Sequence, residues 1–383
     1  MKLLFFFPVL LAGAIGSVSC KRAETQANVV PAITPDSTIT FSIGAVGDLM
    51  CHSNQFNNAR IQGDSFDFTG SFTYVQPILS GVDFMLGNLE TTLAGKVRPY
   101  SGYPMFNTPD AYAVALKQAG FDCIVTANNH SNDSGEEGIK RTIRILDSVG
   151  LHHTGSFQTA ADRDSIRIYS VKGVKVGVVS YTYSTNGLPL TEGKPWLVNA
   201  LDSVLIQQDI QKGRSLGAEL MIVFYHFGEE YQRLPNAYQK QFVQWAIDCG
   251  ADIIFGSHPH VLQPDGFYPS TASLVDSVYV AWSMGNFISN QQDEYTDEGV
   301  ILQLDITKNL HTGKLHIDRA AYTPTWVYRG KLPENGVHTV FPVVDSTFTG
   351  VPDYILKNYR SELDKAWTHT HKTFDRAVVL PKK

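Results

Sequence analysis

His258 and His260, separated by Pro259, follow the apolar run Ile253-Ile254-Phe255-Gly256. A strand that ends in His-x-His aims two imidazoles out of a sheet edge, which is where open α/β folds keep their sites. The same design recurs along the chain. Gly81-Val82-Asp83 leads through Phe84-Met85-Leu86 to Asn88 and Glu90, and Gly120-Phe121-Asp122 leads through Cys123-Ile124-Val125 to Asn129-His130. Gly217-Ala218-Glu219 leads through Met221-Ile222-Val223-Phe224 to His226. Each unit is a glycine, any residue, an acid, an apolar strand and then a metal-type ligand. Asp48 follows another apolar run in the same way.

The candidate metal ligands are therefore Asp48, Glu90, Asn129, His226, His258 and His260. Mixed carboxylate, amide and imidazole donors suit manganese, zinc or iron. The set exceeds the needs of one tetrahedral zinc, so one or two divalent ions are expected, a pair sharing a bridging carboxylate. His130 and Glu90 are the candidate catalytic residues. His130 would donate a proton or grip an anionic group, and Glu90, Asp83 or Asp133 would orient it. Each piece also has a bland reading: a lone histidine is usually structural, Asp48 after Gly47 caps a turn, and Asn128-Asn129 is a turn signal. The ordered combination favours a metal site.

The elements that must position these residues alternate between strand and helix from Phe41 to about Asn290, which predicts an α/β sandwich. A first strand is expected over 39–46 and a short helix over 72–79. The segment 88–109 is a long loop carrying Arg98, Tyr100, Tyr103 and Phe106, and loops of that length are usually functional or mobile. Pro109 suits a first helical position, with that helix ending at Gly120. Ser134 and Glu137 have capping-box spacing, ahead of a helix whose apolar face is Ile139, Ile143, Leu146 and Val149. Helices are expected over 202–215 and 236–249, the latter with Tyr238, Phe242, Trp245 and Cys249 as core. The repeated units read as parts of one sheet. Beyond about residue 290 the pattern becomes a hairpin, with strands over 299–307 and from 314 onward. A terminal helix is expected over 353–368.

The chain has 383 residues, a formal charge of −6 and 43% hydrophobic residues. That is enough for a full core, and the slightly acidic balance gives no reason to expect nucleic acid. Met1-Lys2, the apolar run 3–15 and the small residues 16–19 form a signal peptide pattern. Cys20 resembles a bacterial lipoprotein processing site, the alternative being an ordinary secreted protein cut nearby. The expected organisation is a signal peptide over 1–20 and a polar tether over 21–38. A main domain follows over 39–290, with strands and a helix over 291–383 packing on it. Cys123 and Cys249, at or beside strand starts, read as buried thiols, and with Cys51 the odd number of cysteines argues against a full disulfide framework.

Taken together, Asn88-Leu89-Glu90-Thr91, Ala127-Asn128-Asn129-His130, His226-Phe227-Gly228-Glu229-Glu230-Tyr231, His258-Pro259-His260-Val261-Leu262-Gln263 and Met284-Gly285-Asn286-Phe287 resemble the CapA-type capsule synthesis, or poly-γ-glutamate biosynthesis, proteins. With Gly47-Asp48 they resemble the motif blocks of calcineurin-like metallophosphoesterases. The resemblance implies a four-layer αββα metallophosphoesterase-like sandwich with a small C-terminal β/α extension. It implies that Asn129, His226 and His258 serve one ion and that Asp48 and His260 serve the other. Two departures stand out: Met50 occupies the place of a motif histidine, and Asn88 that of a bridging aspartate. Both weaken the second position.

The implied function is a membrane-anchored lipoprotein of the bacterial cell envelope. It would act on a capsule-like anionic polymer or another envelope substrate by metal-assisted attack on an amide or ester. Arg98, Tyr103, Glu229, Arg233 and Asn286 are the candidate substrate contacts. The alternatives are a metal-dependent phosphoesterase with an unrelated phosphorylated substrate and a non-catalytic module that binds an anionic polymer.

Overall fold

The computed structural model describes residues 37–330, 336–374 and 378–380. The candidate signal peptide, Cys20 and the tether up to residue 36 lie outside the described residues. In chain order the strands are β1 (Thr38–Leu49), β2 (Phe84–Leu89), β3 (Cys123–Val125), β4 (His152–Thr154), β5 (Arg167–Val171), β6 (Val174–Thr182) and β7 (Leu220–His226). They continue as β8 (Ile253–Ser257), β9 (Leu262–Pro269), β10 (Ser277–Met284), β11 (Asn286–Ile288), β12 (Glu298–Asn309), β13 (Leu315–Tyr328) and β14 (Thr339–Pro342).

These strands form two sheets. One runs β14-β13-β12-β1-β2-β3-β4, with β11 added beside the end of β1; the other runs β5-β6-β7-β8-β10-β9. Alternation along the strands explains the stacking, because successive side chains face opposite sides. On β1, Phe41, Ile43 and Ala45 meet Leu220, Ile222 and Phe224 of β7 in a core between the sheets. Val46 and Leu49 face the other way and pack with Tyr112, Leu116 and Leu146 of the helices Ala111–Ala119 and Gly135–Ser148. On the far side, Met221, Val223 and Tyr225 pack with Ile206, Ile210, Val243 and Ile247 of the helices Ser203–Ser215 and Ala237–Cys249. The result is helix, sheet, sheet, helix, the four-layer α/β sandwich expected.

Some expectations need correction. The glycine-acid units do not share one sheet: β2 and β3 belong to the first, β7 and β8 to the second. Residues beyond 290 are no small extension, because β12 lies directly against β1 along most of its length. The Ser134–Glu137 capping box does not form; the helix starts at Gly135 without a side-chain cap, and Ser134 Oγ instead meets Thr92 Oγ1 at 2.9 Å. Pro109 sits before the helical residues rather than at the first of them, since Asp110 is the cap. In Ala237–Cys249 the buried residues are Gln239, Val243, Ala246 and Ile247. Tyr238 and Trp245 are exposed instead, because the helix turns its small and aliphatic stripe inward. The segment 72–79 is helical only over Gln76–Leu79. The terminal helix runs Asp353–Thr373, longer than expected.

What positions the site is the crossing between the sheets. β10 leaves the second sheet at Met284, turns at Gly285 and enters the first as β11, where Asn286 registers with Asp48. Asp48 N–H donates to the Gly285 carbonyl at 3.0 Å. At Gly47 a Cβ would lie 1.9 Å from that carbonyl oxygen, and at Gly256 a Cβ would lie 2.0 Å from the Trp282 oxygen. Both positions need glycine because backbone meets backbone there. Gly47→Ala is expected to cost about 3 kcal/mol or more through overpacking. Urea unfolding checks this, and a loss below about 1 kcal/mol would show that the crossing yields easily.

Candidate metal centre

β1, β2 and β3 run parallel, as do β7 and β8, so their C-terminal ends deliver side chains to one place where the two sheets meet. Asp48 stands at a register shift in β1, which re-aims a side chain as bulges do. Glu90 follows β2 directly, and Asn128 to His130 follow β3. His226 is the last residue of β7, and His258 and His260 follow β8. The last two do not continue a strand. Their φ values are +98° and +59°, a left-handed backbone that costs on the order of 1–3 kcal/mol per residue and gathers at functional sites. Turning the chain there, rather than extending it, brings both rings inward.

Among the described residues, three sets of ligand atoms lie within 4.8 Å of one another: Glu90 with His226 and His258, Asp48 with Glu90 and His260, and Glu230 with His258 and His260. Glu90 belongs to two of them. Its Oε1 is 3.6 Å from His226 Nε2 and 3.8 Å from His260 Nε2. Asn129 Oδ1 meets His226 Nε2 at 2.8 Å. The donors fit a cation by a direct test. Glu90 is fully buried, yet neither carboxylate oxygen has a hydrogen-bond partner, and neither does His258 Nδ1. A buried carboxylate without donors is costly unless a cation meets it.

The surrounding groups hold these donors in place. Asn88 Nδ2 donates to Asp48 Oδ1 at 2.8 Å and lies 3.1 Å from His226 Nδ1, while Asn88 Oδ1 accepts from Asn128 Nδ2. Asp48 can only accept, so the Asn88 amide must turn its NH2 this way. Asn88 therefore braces two ligands and offers no bridging oxygen, and Glu90 holds the shared position. His226 Nδ1 also meets Ser257 Oγ at 3.0 Å, and His260 Nδ1 meets Asn286 Oδ1 at 3.0 Å. His130 is oriented by Asp133, whose Oδ2 lies 2.8 Å from His130 Nδ1. That answers which carboxylate faces His130. Asp83 is committed to Ser42 and Lys172.

Burial sets the charge states. It raises the Glu90 carboxyl well above its ordinary value, and the Asp48 charge adds to the effect. Burial and the neighbouring imidazoles push His226 well down and His258 to about 3, so both stay neutral and ready to ligate. For His260 burial opposes protonation, but the Asp48 hydrogen bond and charge outweigh it and the value rises. Asp48 is the converse: burial opposes ionisation, and His260 and Asn88 bring it below the ordinary range.

The candidate substrate contacts scatter. Glu229 is exposed and lines a cavity beside His258. Arg98 donates to the Asp133 carbonyl at 3.4 Å, beside His130. Tyr103 is 76% exposed. Arg233 turns away from the ligands, reaching Thr373 Oγ1 at 2.6 Å and lying over the Tyr295 ring. Asn286 is spent on His260, Gln291 and Thr296. Met50 is buried. His52 Nδ1 meets Gln55 Oε1 at 3.2 Å and the backbone of Asn290. Sequence reading passed over Glu230, although it follows His226 and Glu229 in one run, and read Asn88 as a weak ligand rather than a brace.

Residues 42–291 match the family described as bacterial capsule synthesis protein PGA_cap. The chain is 28% identical over 312 residues to the capsule biosynthesis protein CapA of Bacillus anthracis, covering 79% of this chain and 72% of that one. It is 29% identical over 324 residues to the PGA biosynthesis protein CapA of Bacillus subtilis strain 168, covering 82% and 80%. Among solved structures it is similar to the calcineurin-like phosphoesterase YfkN from Bacillus subtilis, at 16% identity and a TM-score of 0.43, over 86% of this chain and 99% of that one.

Two predictions arise from this geometry. The first concerns unequal ion positions, because Asn88 turns its NH2 to Asp48 and supplies no carboxylate beside Asp48 and His260. One ion is expected to survive purification and a second to add only at higher concentration. His258→Ala should abolish tight binding, and His260→Ala should mostly spare it. Elemental analysis and metal titration check this, and two equally tight ions in the wild type would refute it.

The second concerns Glu90. Its raised value favours the neutral acid, so the stability it lends the ion-free fold is present at acid pH and lost as pH rises through the folded value. Glu90→Gln should therefore stabilise the ion-free protein at neutral pH by roughly 1–2 kcal/mol and abolish stabilisation by added metal. In the wild type, ion binding must displace protons from Glu90 and His260, so affinity should rise with pH. Calorimetry in buffers of different ionisation enthalpy reads that proton release, and finding none would remove Glu90 from the ligand set.

Proposed function

The chain belongs to the bacterial capsule synthesis protein family PGA_cap, and from that premise we propose that it is a metal-dependent hydrolase or transferase of envelope polymer. It acts on an amide or ester bond of a capsule-like polymer such as poly-γ-glutamate. The observation that carries this reading is Glu90, a buried carboxylate with two bare oxygens, shared by two clusters of imidazole and carboxylate donors. Divalent ions, when bound, polarise a carbonyl oxygen and lower the pKa of water. Asp48, Glu90, Asn129, His226, His258 and His260 would hold them.

The protein's own chemistry then falls to His130. Asp133 can only accept, so the proton between them sits on His130 Nδ1 and Nε2 carries the free lone pair. The Asp133 Oδ2 atom also accepts from Phe106 N–H at 2.7 Å, and the His130 ring stands edge-on to Phe106 at 4.6 Å. The imidazole is thus held in one tautomer and one orientation, as a general acid or base requires. Export and lipid attachment at Cys20 belong to the same proposal and rest on the small residues that precede it.

The test is incubation of the purified mature protein with poly-γ-glutamate, following chain length and released amine with and without chelator. His130→Ala should lower the rate by about 10²–10⁴-fold while leaving metal content unchanged. Full activity in that variant, or in chelator, would sink the proposal. Manganese-dependent hydrolysis of an aryl phosphate ester with the polymer untouched would favour the phosphoesterase reading. Polymer binding that survives both chelator and loss of His130 would favour the binding module. Mass spectrometry of the mature N-terminus tests the anchor, and an unmodified terminus downstream of Cys20 would exclude it.

A further inference from the structure

Beside the metal centre lies a cavity of about 400 Å³, lined by Tyr183, Glu229, Glu230, Asn236, Tyr238 and His258. His258 is 2% exposed and has an unpartnered Nδ1, so the cavity reaches the edge of the metal-donor set. The outer walls are two tyrosines, 37% and 42% exposed, and the Tyr183 ring lies 4.4 Å from that of His258. Among the described residues, no lysine or arginine lines it. The nearby Arg233 is engaged with Thr373 and Tyr295. The helix Ala237–Cys249 begins at this cavity, and its N-terminal partial positive charge would favour an anion. Two of its N–H groups are already taken: Asn236 Oδ1 accepts from Gln239 N–H, and Gln239 Oε1 accepts from Asn236 N–H.

Two carboxylates and two aromatic rings around one cavity are the chemistry that recognises an organic cation. The same surroundings repel the α-carboxylates of an anionic polymer, which carry no cation to offset Glu229 and Glu230. We propose that this cavity is a subsite for a primary ammonium group on the substrate, with the acyl group to be attacked lying over the metal donors. The inference rests on the function proposed above and narrows it, since the substrate must present an amine a short distance from its reacting bond. The free α-amino end of a γ-glutamyl chain and the side-chain amine of a lysine-type residue both do so. Glu229 is the decisive residue because it lines the cavity and belongs to none of the metal-donor sets.

Binding to the full mature protein, with its metal as purified, tests this by calorimetry with two probe pairs. One pair is γ-linked triglutamate with a free α-amine and its N-acetylated form. The other is Nα-acetyl-lysine amide and its Nε-acetylated form. In at least one pair the free amine should bind about tenfold more tightly than its acetylated partner. That preference should vanish in Glu229→Gln and shrink in Tyr238→Ala, with metal content unchanged in both. The pair that shows it identifies the source of the amine. No preference in either pair, or a preference that Glu229→Gln leaves intact, would overturn the subsite. Because binding is scored without turnover, an amine preference without polymer cleavage keeps the subsite and removes the hydrolase reading. Cleavage without the preference does the reverse.

Discussion

A carboxylate buried away from water and given no hydrogen-bond donor is the constraint around which the rest of the molecule is arranged. Glu90 is fully buried and both of its oxygens are bare. Its neighbours are Asp48, itself an acceptor, and imidazoles kept neutral by burial. A group in that position has two stable states: it carries a proton, or it faces a cation. The polar groups around it act on its neighbours instead. Asn88 and the backbone N–H of His258 turn to Asp48, and Ser257 and Asn88 turn to His226. The second layer of side chains is therefore satisfied, and the unmet demand is concentrated on the donors themselves, as in metal sites whose outer contacts fix ligand orientation.

Such concentration needs a scaffold that does not relax. Two sheets with parallel strands end at the same place, and the 284–286 segment ties one to the other. Glycine at 47 and 256 lets backbone touch backbone where a side chain would push the layers apart. The left-handed backbone of His258 and His260 is borne by this frame. Without β8 fixed between β7 and β10, that segment would extend and its two rings would leave the centre. The strain and the orphaned carboxylate belong together, since both persist only where the surrounding structure leaves no alternative.

Much of this was legible in the sequence, for identifiable reasons. A glycine, an acid and an apolar run mark a helix end and a parallel strand whichever sheet the strand joins, so Gly120 and Gly250, both left-handed caps, fell where the pattern put them. Residue types at strand ends were equally readable. What could not be read was direction. Whether Asn88 offers oxygen or nitrogen to its neighbours depends on Asp48 and Asn128 arriving from other strands. Whether Glu90 or Asp133 faces His130 is settled by where the Phe106 loop lays its N–H. The division of four similar units between two sheets follows from which strands pair, and nothing local to each unit records it. Ser134 had the right type and spacing for a cap, yet its hydroxyl was taken by Thr92, a contact between segments far apart in sequence.

The neutral side chain of Asn88 also bears on the charge the site can hold. Asp48 and Glu90 together supply two negative charges to the inner donors, which balances one divalent cation. A second ion there would carry excess positive charge in a region from which water is largely excluded, and Coulomb repulsion between ions is strong in such surroundings. That excess can be met from only two directions. One is Glu230, which reaches His258 and His260 from the exposed rim. In the function proposed above, the other would be the substrate, through an oxygen that gains negative charge as its bond is attacked. On the same reading, a second ion held in this way would be retained best when substrate is present, and metal affinity and catalysis would be linked through the same charge. The neutral amide at Asn88 then acts less as a lost ligand than as the residue that leaves this charge for the substrate to supply.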